Sequence, residues 1–342
     1  MTHSQSQTPL YLGVEIGGTK LQLAVGSGHS TALAALEQQE IDTSIGADGI
    51  LELIQKMAEP LFREHAIEGV GIGFGGPVLA DSGRVITSHQ VAGWNNLPLN
   101  DWCQRTLGRP AALGNDCDVA ALAEAQMGAG QGCRTVFYVT VGTGIGGGLV
   151  IDGRLHGAGR PAVAEIGHLR PCPEAGAAEE TVESRAAGPA IAAAALRRLV
   201  QPRREEQHAV DELIGRCHGN LELLTARSIG QAAIAGNELA RDVLRNACRT
   251  LGWAVAQVVT LVSPEVVVVG GGVSLIGEEW FFRPLRESVG RYVFPPLATA
   301  FQIVPAQLGQ TVVVHGALAL ARMKFEGRKT PVAGRAGREK SC

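Results

Sequence analysis

The residues best suited to chemistry begin with Asn115-Asp116, which closes a short apolar run, Ala111 to Leu113, and precedes an alanine-rich helical stretch. The C-terminal end of a strand is where α/β folds present functional side chains. A carboxylate there could accept the proton of a hydroxyl as that oxygen attacks phosphorus. The same pair also suits a plain turn, with Asp116 or Asp118 capping the helix that follows. Two glycine-rich runs, Gly17-Gly18-Thr19-Lys20 and Gly142-Thr143-Gly144-Ile145-Gly146-Gly147-Gly148, each lie between β-rich segments. Their unshielded backbone N–H groups can wrap phosphate oxygens. Thr19 and Thr143 add hydroxyl donors at matching places. Glu15, just before the first run, could hold Mg²⁺ directly or through water. A third run, Gly270-Gly271-Gly272, follows the all-valine stretch Val266 to Val269 and would let backbone approach a flat ring.

Other readings of these glycines are weaker. Neither of the first two runs fits the P-loop pattern G-x-x-x-x-G-K-[ST]. The dinucleotide fingerprint G-x-G-x-x-G occurs by letter at Gly142, Gly144 and Gly147. It sits at a strand-to-strand turn, where the fingerprint needs a strand-to-helix turn. Plain hairpin turns remain the bland alternative.

The elements that must position these residues follow from periodicity and turn signals. Strands are expected at Leu10 to Val14, Leu21 to Val25, Val70 to Phe74, Ala111 to Leu113, Val136 to Val141, Leu149 to Ile151 and Val266 to Val269. Helices are expected at Ile50 to Phe62 (its last turn disturbed by Pro60), Leu99 to Leu107 and Ala120 to Met127. Others should cover Ala186 to Leu199, Arg227 to Ala235, Glu238 to Val262 and His315 to Phe325. Pro264 stops the helix before it. The alternation implies an α/β protein. The strand–turn–strand plan recurs roughly 125 residues apart, so two similar domains should face a shared cleft. Their expected limits are 10–118 and 119–314. The helix at 315–325 is expected to return to the first domain, and 327–342 reads as a disordered basic tail.

Composition sets the frame. The chain has 342 residues, 45% of them hydrophobic, and a net charge of −3 with both signs interspersed. That balance gives no electrostatic reason to expect a nucleic acid or a membrane surface as partner. Its 45 glycines are almost twice the usual share of about 7%. The cysteines, at 103, 117, 133, 172, 217, 248 and 342, form no C-x-x-C pair, which argues for a reducing compartment. No secretory pattern opens the chain, and no apolar run nears the roughly 18 residues of a membrane span. A cytoplasmic location is expected.

Taken in order, several motifs resemble the ROK family of sugar kinases and sugar-responsive repressors. They are Gly13-Val14-Glu15-Ile16-Gly17-Gly18-Thr19-Lys20, Gly75-Gly76-Pro77-Val78, Gly93-Trp94-Asn95, Asn115-Asp116, Val141 to Gly148, and Glu165-Ile166-Gly167-His168. The resemblance covers Leu12 to about Leu320. It implies two actin-like (ribonuclease H-like) α/β domains flanking a cleft, and ATP-dependent phosphorylation of a hexose, glucose foremost. It makes Asp116 the catalytic base and Asn115 a sugar ligand. Glu165, His168 and Glu183 would contact the sugar, as polyol recognition by carboxylates also suggests, and Gly76 and Ser88 would lie on loops closing over it. Gly17, Gly18, Thr19, Lys20, Gly142, Thr143 and Gly144 would hold the ATP phosphates with Mg²⁺ at Glu15, and Gly271 and Gly272 would face adenosine. A homodimer is the assembly the family suggests.

Three departures from the family pattern matter. Many members bind zinc through the histidine of the Glu-x-Gly-His signature and a C-x-C-G-x-x-G-C segment. Here Glu174 to Thr181 carries none of those cysteines, so no zinc is expected. Packing around Val182 and Leu169 should hold Glu183 and His168 instead. The first phosphate motif usually has aspartate where this chain has Glu15, which opens a second reading: a sugar-sensing protein with impaired catalysis. The repressors carry a DNA-binding module before the first motif, and about ten residues are too few for one. A kinase for N-acetylmannosamine or fructose, and polyphosphate as donor, stay open.

Overall fold

A computed structural model of the chain describes residues 8–88, 90–157, 159–160, 162–171, 179–202 and 206–326. The expected disordered tail 327–342, Cys172 and most of the 174–181 stretch lie outside them. The chain divides into two compact units: residues up to Gly114 together with those from Ala317 onward, and Asn115–Gly316.

The first unit begins with the hairpin β1 (Leu10–Ile16) and β2 (Lys20–Gly26), continued by β3 (Leu33–Glu40). Then come α1 (Gly46–Glu64), β4 (Ile67–Phe74), the short β5 (Val78–Leu79) and β6 (Arg84–Val85), α2 (Leu99–Trp102) and β7 (Ala111–Asn115). Its main sheet has the order β3-β2-β1-β4-β7, with β1 antiparallel to β2 and parallel to β4. Apolar residues of these strands pack against Ile50, Ile54, Ala58 and Leu61 of α1. Burying each such Leu or Ile contributes roughly 1.5–3 kcal/mol.

The second unit opens with α3 (Asp116–Met127), β8 (Thr135–Val141), β9 (Ile145–Ile151) and β10 (Arg154–Leu155). It continues with α4 (Glu183–Ala186), α5 (Gly188–Val200), α6 (Gln207–Arg216), α7 (Ala226–Ile234) and α8 (Glu238–Val262). It closes with β11 (Val266–Gly270), α9 (Arg283–Tyr292), β12 (Gln302–Pro305) and the start of α10 (Val312–Phe325). Its sheet runs β10-β9-β8-β11-β12, the same plan as the first, so the duplicated layout expected from the two glycine hairpins is present. Strand β8 alternates between two cores. Val136 and Tyr138 meet Ala120, Ala121 and Ala125 of α3, while Phe137, Val139 and Val141 face the layer containing α5, α7 and α8. That alternation is the period of a strand buried on both faces.

Several boundaries differ from the sequence reading, each for a local reason. Helix α3 starts at Asp116, four residues before the expected Ala120, because Asn115 caps it. Asp116 and Asp118, either of which would cap the helix in the plain-turn alternative, sit inside its first turn. The second glycine turn ends at Gly144, and Gly146, Gly147 and Gly148 belong to β9. A side chain at Gly148 would meet Ala121 Cβ at 2.6 Å, and one at Gly147 would strike the Ala164 carbonyl. The strand is therefore glycine-rich because neighbouring backbone lies directly on it. Helix α1 extends past Pro60 to Glu64. The expected helix Leu99 to Leu107 is α2 followed by a π-turn over Cys103–Leu107. The helix expected from Ala186 breaks at Ala187, which is extended, and restarts at Gly188-Pro189. Strand β3 went unpredicted because its polar residues Glu37 to Glu40 are exposed at a sheet edge.

Candidate active site

In the second unit the site is built on the N-terminus of α3. Asn115 Oδ1 accepts hydrogen bonds from the N–H groups of Cys117 (2.8 Å) and Asp118 (3.4 Å). Asp116 Oδ1 also accepts from Cys117 N–H, at 2.8 Å. Burial raises the Asp116 carboxyl above the usual carboxylate range, against the lowering effect of its hydrogen bonds with Cys117 and Asn115. A carboxylate of raised pKa is a stronger proton acceptor.

Glu165 precedes a single 3₁₀ turn, Ile166–His168, that places His168 close to it in space; its own preceding residue, Ala164, is in the left-handed region at φ 59°. Burial raises the Glu165 carboxyl; the His168 ring opposes the shift, and Asp116 and Glu183 add to it. Asp116, His168 and Glu183 thus all lie within electrostatic reach of Glu165. Sequence reasoning treated Asp118 only as a helix cap. It belongs to this group: burial, then Glu165 and Asp116, push its carboxyl up to about 7. Its Oδ1 is buried without a hydrogen-bond partner among the described residues.

Glu183, the first residue of α4, accepts a hydrogen bond on Oε2 from Ile145 N–H at 2.7 Å. It therefore touches the second glycine turn, where Gly142 N–H donates to the Gly144 carbonyl at 2.9 Å and Thr143 is exposed. The Val182 N–H donates to the Leu169 carbonyl at 2.9 Å, and Val182 is fully buried, so these two residues do brace the stretch that carries His168 and Glu183. Gly271, at φ 85°, lies against the Val141 backbone where no side chain fits. Gly142, Thr143 and Gly272 open onto a cavity of about 820 Å³. Its other walls include Pro189, Ala192, Leu275 and Ile276, with Arg227 and Gln231 as polar groups. These wall residues were not legible in the sequence, because they come from three separated segments with no motif in common.

In the first unit Gly17 N–H donates to the Lys20 carbonyl at 3.0 Å, which closes the first turn. Glu15, near the end of β1, pairs with Lys20 Nζ at 3.2 Å, and only 12% of its side chain is exposed. Gly17, Gly18 and Ser88 line one small pocket with Gly75 and Gln90. Ser88 Oγ accepts from Gln90 N–H and Val91 N–H, both at 3.2 Å. Gln90, which sequence reasoning missed, lies directly over Gly18. Gly76 N–H donates to the Phe74 carbonyl, and Thr19 carries the Ile41 N–H on its own carbonyl.

Among the described residues no group of three or more His, Cys, Asp or Glu could hold a metal ion, and no helix is long and apolar enough to cross a membrane.

Two sheets of one repeated plan, each headed by a glycine hairpin, define the actin-like ATPase class of α/β folds. The chain belongs to the ROK family, whose family model matches residues 11–324. It is similar to the glucokinase of Halalkalibacterium halodurans, at 31% identity over 90% of this chain and 93% of that protein. The crystal structure of a ROK family glucokinase from Streptomyces griseus in complex with glucose and AMPPNP matches with a TM-score of 0.77. That match has 31% identity and covers 92% of this chain and 99% of the other. The bifunctional enzyme NanE/NanK of Brucella melitensis is 30% identical over 92% of this chain and 54% of its own length.

Proposed function

We propose that this ROK sugar kinase transfers the terminal phosphoryl group of ATP to a hexose hydroxyl, and that glucose, giving glucose 6-phosphate, is its acceptor. The observation that carries this reading is the gathering of Asn115, Asp116, Glu165, His168 and Glu183 beside the Gly142–Gly144 turn. Carboxylates and an imidazole suit the paired hydroxyls of a sugar, and backbone N–H groups suit phosphate oxygens.

In the proposed mechanism the acceptor oxygen bonds to the γ-phosphorus while the bond to the β–γ bridging oxygen breaks and ADP leaves. The hydroxyl proton passes to Asp116. Asn115 holds Asp116's helix turn in place and offers its amide to the sugar. Glu165, His168 and Glu183 orient the ring, and the family resemblance adds Gly76 and Ser88 as candidate sugar contacts. Gly17, Gly18, Thr19, Lys20, Gly142, Thr143 and Gly144 hold phosphate oxygens, and the cavity beyond Gly272 receives the nucleoside. That cavity's apolar walls favour a nucleotide over polyphosphate as donor. Glu15 fits Mg²⁺ as a hard oxygen donor, bound directly or through water, although Lys20 competes for its carboxylate. A bound Mg²⁺ would neutralise charge on the phosphate oxygens.

The Glu15–Lys20 ion pair is also the observation that favours a second reading, a sugar sensor without turnover. One assay separates the readings. ADP release is measured with glucose, mannose, fructose and the N-acetylhexosamines. Release with glucose above all others is expected. A preference for N-acetylmannosamine or fructose would replace the acceptor, and sugar binding with no ADP release on any would establish the sensor.

A further inference from the structure

The segment from Val182 to Gly188 is bonded to the second glycine turn at both of its ends. Glu183 Oε2 accepts from Ile145 N–H at 2.7 Å on one side of the turn. Gly188 N–H donates to the Gly142 carbonyl at 2.8 Å on the other. The same segment is tied to the stretch that carries Glu165 and His168. Val182 N–H reaches the Leu169 carbonyl, and Leu169 N–H reaches the Ile166 carbonyl at 3.3 Å. Gly167 in that stretch lies on the Ile145 carbonyl with no space for a Cβ. All of these contacts lie within the second unit.

Gly144 is what permits the central contact. A Cβ on it would lie 2.6 Å from Glu183 Oε2, inside van der Waals distance, so any side chain there would push the carboxylate off the turn. A carboxylate has two oxygens and about four lone-pair sites. The bond to Ile145 uses one of them and leaves capacity for a sugar hydroxyl.

Resting on the kinase reading above, we infer that Glu183 is a positioning residue that couples the acceptor to the donor: the carboxylate that takes a sugar hydroxyl also sets the shape of the phosphate-holding turn. Sugar binding orders Glu183, Glu183 orders Ile145 N–H and the turn, and the turn then binds the nucleotide phosphates more tightly. Such coupling is reciprocal, so the nucleotide must tighten sugar binding by the same factor.

The test is calorimetric titration of the full chain with AMPPNP, with and without saturating glucose. In the native chain glucose is expected to tighten AMPPNP binding about tenfold, within the usual range for coupled sites. Gly144→Ala displaces the carboxylate while leaving Glu183 itself in place. Its coupling factor, the ratio of AMPPNP affinities with and without glucose, is expected to fall below about twofold. Glu183→Gln keeps an acceptor for Ile145 N–H but loses the charge, and should give an intermediate factor; it also serves if Gly144→Ala fails to fold. A native coupling factor retained in both variants would overturn the inference. So would a native chain that binds glucose and AMPPNP independently. A native chain that binds neither ligand would remove the kinase reading itself, which is a different result.

Discussion

Gly316 in α10 lies against the carbonyl of Val119 in α3 so closely that a Cβ would overlap the oxygen. Helix α3 carries Asn115 and Asp116 at its start, so this contact helps to fix the height of the proposed base. Gly316→Ala must push the two helices apart. Overpacking of this kind costs about 1–3 kcal/mol. The expected outcome is a lower denaturation midpoint in urea together with reduced ADP release at saturating sugar.

Asp116→Asn should leave α3 intact, because Asn115 still caps the helix through Cys117 and Asp118. The proton acceptor is lost, and kcat is expected to fall by roughly 10²–10⁴-fold. Circular dichroism should be unchanged. Turnover at the native rate would remove Asp116 from the mechanism.

Asp118 gives the chain a pH-dependent stability. Its carboxyl is pushed up to about 7, chiefly by burial. In an unfolded chain an aspartate titrates near 3.9. Between those values the folded chain keeps a proton that the unfolded chain has released, so stability falls as pH rises through that window. Asp118→Asn abolishes this titration. Urea denaturation at about pH 8 should show the variant more stable by about 1–4 kcal/mol, with the gain shrinking towards about pH 4.

Glu124 is a fully buried carboxylate on α3. One oxygen accepts from Gln307 N–H and Leu308 N–H, each at 2.9 Å, and the other accepts from Ala129 N–H at 2.8 Å. Glu124→Gln would turn an amide N–H₂ towards a backbone donor on one side. Losing a hydrogen bond to a charged group in the interior costs about 1.5–3 kcal/mol. A fall of several degrees in the thermal midpoint is expected.

The fold was legible where local chemistry agreed with global packing. Helix α8 was read at both ends, Glu238 and Val262, because Asn237 caps its start and Ser263-Pro264 ends it. The two glycine hairpins and the all-valine β11 were legible for the same reason. Helices α6 and α9 and the short edge strand β12 were not, since their signals are weak and tertiary contacts decide them. At the site, Asn115, Asp116, Glu165, His168 and Glu183 could be named from motif order. Asp118 and Gln90 could not, because their importance comes from what lies over them in space. The bond from Ile145 to Glu183 spans 38 positions and leaves no trace in sequence spacing.

The run from Gly142 to Gly148 looks uniform as text, but β9 begins inside it, at Ile145. Glycines before that point line a ligand turn, and those after it are pressed between α3 and the Ala164 backbone. Saturation mutagenesis across the run should therefore split into two phenotypes. Changes up to Gly144 would yield soluble protein with altered ligand response, and changes from Gly146 onward would yield little folded protein at all.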